Sequence, residues 1–198
     1  MQLIASVVAA ASLLGASVQA ESQPDVLTLG LTALRSASPI HFGSINAANS
    51  KFWIWGPGPK TYCPPNITGC QKTNSTLIDL YLDNGAAGLY ANIPGGQDIF
   101  VAPDGSLSFT EPHMEGVFPP GSIAYSGFTY TAPAEPGTVA ILGFKGNGST
   151  GFVACPRKGA YPWQIYVQLP GKNYTSGCLG FDVSAANVTN APLPWEFI

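Results

Sequence analysis

This sequence predicts an all-β protein, a single-domain antiparallel β-sandwich. A β-barrel or a trefoil-like arrangement would satisfy the same pattern. Three observations carry the prediction. Of 198 residues, 41 are Gly or Pro and only 19 carry a formal charge; long helices are built from Glu and Lys together with Ala and Leu, so a helical bundle is excluded. Short apolar runs recur along the chain between Gly, Pro and Asn punctuation, the spacing of sandwiches and barrels. The 22 aromatic residues are spread along the sequence, enough to fill one core.

The elements follow in chain order. Val26 to Leu34 alternates, with Leu27, Leu29, Leu31 and Ala33 on one face. Pro39 interrupts, and Ile40-His41-Phe42 is expected to resume the strand. Lys51 to Trp55 reads as a short aromatic strand, stopped by Gly56-Pro57-Gly58-Pro59, which has too few donors to pair inside a sheet. Leu77 to Leu82 suits a central strand or a short helix, turned by Asn84-Gly85, and Gly88 to Ile93 follows. The clearest hairpin runs from Gln97–Val101 through Pro103-Asp104-Gly105 to Ser106–Thr110, because an Asp-Gly turn between alternating runs supplies the positive φ of a tight turn. Further strands are expected at Gly127–Thr131, Thr138–Phe144, Gly151–Cys155, Trp163–Leu169 and Cys178–Val183. No composition shift divides residues 21–198, so one domain is expected there.

Residues 1–20 are apolar, uncharged and end in small residues, the pattern of a secretory signal peptide with Val18-Gln19-Ala20 at the cleavage site. Five of the ten asparagines, Asn66, Asn74, Asn147, Asn173 and Asn187, lie in N-x-[ST] sequons. Ser and Thr total 29 residues, a density that produces only one or two sequons by chance. The excess points to a eukaryotic secretory glycoprotein and marks these positions as loops or strand ends. Four cysteines, Cys63, Cys70, Cys155 and Cys178, form the even set that an oxidising compartment pairs. Of three connectivities, the two local ones, Cys63–Cys70 with Cys155–Cys178, are favoured. After Ala20 no second long apolar run occurs, and the C-terminus lacks the tail of a GPI signal, so neither a membrane span nor a lipid anchor is expected.

A net charge of −3 with no Lys/Arg cluster excludes a nucleic-acid binder that works through phosphate contacts. Enzyme signatures are missing too. Gly146-Asn147-Gly148-Ser149-Thr150-Gly151 matches a dinucleotide fingerprint, but it leads into a strand, not a helix. The two histidines fit no zinc spacing: His41 sits in an apolar run, and His113 stands at a turn beside Glu111 and Glu115. No metal, cofactor or catalytic residue is expected. A pair of carboxylates for glycoside hydrolysis can be drawn from eleven acidic residues in many ways, and nothing in the sequence selects one. The binding candidates are Trp53, Trp55 and Tyr62 around the Gly/Pro loop. Strand alternation sets the two indoles on one face, where they could stack on the sugar rings of a polysaccharide. The more ordinary place for such aromatics is the core.

Several strings resemble a known family. Ala33-Leu34-Arg35-Ser36-Ala37-Ser38-Pro39-Ile40-His41-Phe42, Lys51-Phe52-Trp53-Ile54 and Tyr62-Cys63-Pro64 are similar to the opening of the fungal phialide-development cell-wall proteins, the PhiA-like family. Pro94–Val101 with Asp104-Gly105-Ser106-Leu107 resembles that family's central hairpin. Pro119–Ser122, Ala154-Cys155-Pro156, Trp163-Gln164-Ile165 and Cys178–Asp182 continue the match in order. The resemblance implies a secreted, N-glycosylated wall protein with a structural or protective role in phialide and conidium formation. It also implies stress protection and, for some members, recognition as allergens. It brings no catalytic residues. The rival readings are a lectin-like module and a secreted hydrolase or effector.

Overall fold

The structure, a computed structural model, describes residues 25–157, 161–174 and 176–198. The expected signal peptide over 1–20 lies outside them. Among the described residues fifteen strands follow one another: β1 (Val26–Leu34), β2 (Ile45–Ala48), β3 (Lys51–Ile54), β4 (Thr61–Tyr62), β5 (Leu77–Tyr81), β6 (Ala87–Leu89), β7 (Ile99–Val101) and β8 (Leu107–Phe109). Then come β9 (Ile123–Ala124), β10 (Phe128–Thr131), β11 (Ile141–Phe144), β12 (Phe152–Pro156), β13 (Trp163–Val167), β14 (Leu179–Asn187) and β15 (Glu196–Phe197). The helical content among the described residues is one 3₁₀ turn at Gly146–Gly148, which leads into β12 as the sequence suggests.

All ladders are antiparallel, and two layers share one long strand. The first layer runs β6-β5-β1-β14, with β11 and β10 continuing beyond β14; the second runs β14-β12-β13-β3-β8-β7-β9, with β2 on the other edge of β3. Strand β14 belongs to both. Its Leu179–Phe181 end pairs with β12, and Asp182 to Asn187 pair with Leu34 to Leu29 of β1. The outer strands β6 and β7 meet at the single bridge Gly88↔Asp98 without a ladder. The arrangement is therefore a sandwich, with no closed barrel.

Period-two alternation divides each strand between core and surface. In the first layer Leu27, Leu29, Ile78 and Leu80 face inward; in the second Phe52, Ile54, Ile165 and Val167 do so, all essentially buried. The C-terminal β15 pairs with β4, Phe197 opposite Thr61, and buries the Phe197 ring in the same core. Gln97 fastens it. Its Oε1 accepts from Phe197 N (2.7 Å), and its Nε2 donates to Phe197 O (3.0 Å) and Thr110 O (3.2 Å). One amide thus stands in for a missing strand, satisfying both backbone groups of Phe197.

Several expectations need correction. Ile40-His41-Phe42 is a turn, because Phe42 adopts φ 59° and its amide returns to Ala33 O at 2.9 Å. The aromatic strand ends at Ile54, since Trp55 is left-handed at φ 55°. Leu77–Tyr81 is a strand, which settles the open choice there. The last long strand continues to Asn187 because β1 offers Asp182 to Asn187 a partner. Strand β2 escaped notice since Asn49-Ser50 is not a typical hairpin dipeptide. Both residues nevertheless take positive φ (52° and 55°), as a two-residue hairpin turn demands. The Asp104-Gly105 hairpin is present, with Gly105 at φ 87° and Val101 opposite Leu107.

Candidate functional site

The outward face of the second layer is assembled by register. Trp53 pairs with Gln164, which pairs with Cys155, and Lys51 pairs with Ser108. Directly paired residues share a face, and so do residues two apart in one strand. Lys51, Trp53, Cys155, Arg157, Gln164, Ser106 and Ser108 therefore come to one surface. They border a cleft of about 460 Å³ lined by Asn49, Lys51, Trp53, Arg157, Tyr161 and Pro162.

Trp53 is the floor of this cleft. It is 8% exposed, and its Nε1 donates to Ala48 O at 2.8 Å. The Arg157 guanidinium lies over the ring, 5.6 Å from its centroid, and donates through Nη1 to Gln164 Oε1 at 3.1 Å. Lys51 Nζ donates to Ser108 Oγ (2.8 Å) and Ser106 Oγ (2.9 Å). Burial pushes the Lys51 ammonium below its ordinary pKa, and the Asp104 charge opposes that shift. Asp104 is exposed, and what desolvation it feels raises its carboxyl. Hydrogen bonds from Ser106 and the Lys51 charge outweigh that and leave it below the usual value. Tyr161, half exposed, forms an aromatic wall.

The other candidate aromatics sit elsewhere. Trp55, 45% exposed, donates through Nε1 to Pro39 O at 2.9 Å and packs by the turn that carries Phe42, itself 66% exposed and stacked on His41 at 3.9 Å. Tyr62 lies in β4 opposite Glu196. Neither lines the Trp53 cleft, so the expected pair of indoles on one face is not formed. The cysteines pair as Cys63–Cys70 and Cys155–Cys178, the latter on the face that bears Trp53. All five sequon asparagines, Asn66, Asn74, Asn147, Asn173 and Asn187, are exposed. His113 is an exposed turn residue at φ 63°.

A second cleft, of about 360 Å³, opens on the outward face of the first layer. Asp79 pairs with Gly88, and Gly88 bridges to Asp98, so two carboxylates flank a residue with no side chain. At one strand spacing per step their backbones stand roughly 10 Å apart. Tyr81, Tyr125 and Glu115 complete the walls. Asp98 Oδ2 accepts from Tyr125 Oη (3.0 Å) and Gly116 N (3.2 Å); Asp79 Oδ1 accepts from Thr28 Oγ1 at 2.6 Å. Burial raises the Asp79 pKa, and the Thr28 hydrogen bond opposes it. Sequence reasoning missed this pair because the bridge that joins them lies outside any ladder. It missed Lys51 as well, although alternation within β3 already sets Lys51 beside Trp53.

Comparison with known proteins decides the family. A family model described as PhiA-like secreted protein matches residues 29–198. This chain belongs to the PhiA-like secreted protein family. The match covers both clefts and both disulfides. An uncharacterized secreted protein of Arthroderma benhamiae is similar, 30% identical over 159 residues, spanning 77% of this chain and 76% of that one. No solved structure matches. The PhiA-like chain is accordingly a secreted protein of fungal type. No helix among the described residues is long and apolar enough to cross a membrane.

Proposed function

We propose that this PhiA-like protein is an N-glycosylated component of the fungal cell wall that acts physically, without catalysis. Its role is to protect the wall during phialide and conidium formation and under stress. The observation that supports it best is the exposure of all five sequon asparagines on a disulfide-stapled sandwich with few charges. Bulky hydrated glycans would keep such a surface soluble between polysaccharide chains. One sequon carries a timing requirement. Thr76 is buried and its Oγ1 accepts from Ala47 N at 2.8 Å, so Asn74 must be modified before this part of the chain folds.

Retention in the wall is assigned to polysaccharide contact at the Trp53 cleft, a lectin-like use of an aromatic floor with polar rims. Fractionation of a growing, sporulating culture tests the first part. The mature protein should be found in wall and medium, and enzymatic deglycosylation should lower its mass by several glycans. Recovery of an unmodified chain from cytosol alone overturns it. For the second part, Tyr161→Ala should weaken retention on insoluble glucan or chitin while the melting temperature holds. Unchanged retention refutes the cleft as the contact.

A further inference from the structure

Among the described residues, the hydrogen-bond partners that hold the two cations of the Trp53 cleft are neutral. Lys51 has three N–H donors, and its hydrogen bonds go to the hydroxyls of Ser106 and Ser108, both buried. Arg157 is held by the buried Gln164 amide and by the indole face. All of these partners are uncharged. The carboxylate whose charge reaches Lys51 is Asp104, and its Oδ1 already accepts from Ser106 N (2.9 Å) and Ser106 Oγ (2.6 Å). Two of the chain's eight basic residues thus converge on one aromatic cleft in a protein of net charge −3. Donors preorganised by buried neutral groups, Lys51 on β3 and Arg157 just past the end of β12, are complementary to an anion. The aromatic floor and wall, with the Asn49 side chain at the rim, suit a flat ring with hydroxyls.

We propose that the cleft between Lys51 and Arg157 binds an anionic sugar unit, a hexose ring bearing a carboxylate or a phosphate, within the wall polysaccharide. This inference rests on the assignment of wall retention to the same cleft. The sugar ring lies against Tyr161 and the Trp53 floor, and its acidic group meets Lys51 and Arg157.

Titration of the secreted full chain with matched oligosaccharides tests it. The probes are an oligogalacturonate, a phosphorylated mannan oligosaccharide, a neutral β-glucan oligosaccharide of equal length, and a polyglutamate peptide. At least one anionic sugar should bind about ten-fold more tightly than the neutral one, the order that one charge-assisted hydrogen bond supplies. Which one binds better identifies the acidic group as carboxylate or phosphate. Added salt should weaken anionic binding and leave neutral binding in place. Arg157→Gln and Lys51→Met should each remove about that same ten-fold advantage. Arg157 is exposed, so its variant decides the matter should Lys51→Met fail to fold. Equal affinity for neutral and anionic sugars overturns this inference and leaves the retention reading standing. Polyglutamate binding as well as the sugars overturns it in favour of an unspecific anion surface. Binding of no sugar at all overturns both readings.

Discussion

The two clefts lie on the outward faces of different layers and are built in different ways. The Lys51–Arg157 cleft rises from regular ladders: Lys51 and Trp53 share a face with Ser108, Gln164 and Cys155 because β3, β8, β13 and β12 pair in register, and residues just outside the strands complete the rim. The Asp79–Asp98 cleft forms where regular pairing gives out, at the Gly88↔Asp98 bridge, and is closed by loop residues and by Gln97. One is cationic over an indole, the other acidic between tyrosines. The contrast teaches that regular ladders set a face on which several buried neutral side chains, Ser106, Ser108 and Gln164, fix the cations, whereas the irregular edge relies on one polar side chain, Gln97, to hold the C-terminal strand.

The largest test removes that side chain. Gln97→Leu leaves the Phe197 amide and carbonyl and the Thr110 carbonyl without this partner, all in the interior. The expected loss in denaturant unfolding is about 3–4 kcal/mol, since each unpaired buried polar group costs roughly 1–3. The acidic cleft should loosen while anionic sugar binding at the other cleft persists. A loss below about 1 kcal/mol would show that the edge holds itself.

On the ladder side, replacing Cys155 and Cys178 together by Ala opens a bridge 23 residues apart in sequence. It should cost about 3 kcal/mol through the unfolded chain. Hydrogen exchange in β3 should nevertheless stay slow, because the ladder and not the bridge aligns the cleft. Fast exchange there would reverse that view. Gly56→Ala comes next. A β-carbon at Gly56 would overlap Trp53 Cβ, so the indole floor must shift, at about 1–3 kcal/mol and with a change in tryptophan fluorescence. Unaltered emission and stability would show that the floor is loosely packed.

The smallest effects are of pH, and they have opposite signs. Asp79 binds its proton more tightly folded than unfolded, so its contribution falls as pH rises through the window above the ordinary 3.8. Lys51 releases its proton more readily folded, so its contribution rises with pH in the window below the ordinary 10.5. Both groups are partly solvated, and each slope should amount to less than about 1 kcal/mol. Melting curves of Asp79→Asn and Lys51→Met against wild type should each flatten one slope. Both variants moving the same limb would refute the assignment.

Legibility followed the range of the interactions. The Asp104-Gly105 hairpin, the alternation of Val26–Leu34 and the Cys63–Cys70 and Cys155–Cys178 pairs are local in sequence, and each was readable. The Ile40–Phe42 turn and the end of β3 at Ile54 were not. Left-handed conformations at Phe42 and Trp55 go against local preference and occur with hydrogen bonds to residues well away in sequence, Phe42 N to Ala33 O and Trp55 Nε1 to Pro39 O. Trp53, read from the sequence as an aromatic of the core or, less ordinarily, of a site, is the buried floor of an outward-facing cleft whose rim the sequence did not single out.

By itself the sequence determined the class of molecule: an all-β, disulfide-bonded chain of low charge whose strings resemble the PhiA-like family. Composition, turn chemistry and strand alternation depend on neighbours a few residues away, and such information is written along the chain. Only the tertiary structure decided which residues meet. It set Trp53 of β3 beside Gln164 of β13, Asp79 across Gly88 from Asp98, and Gln97 against Phe197 a hundred residues away. Those meetings depend on strand order and register, which are settled by how the whole core packs. No local pattern encodes them.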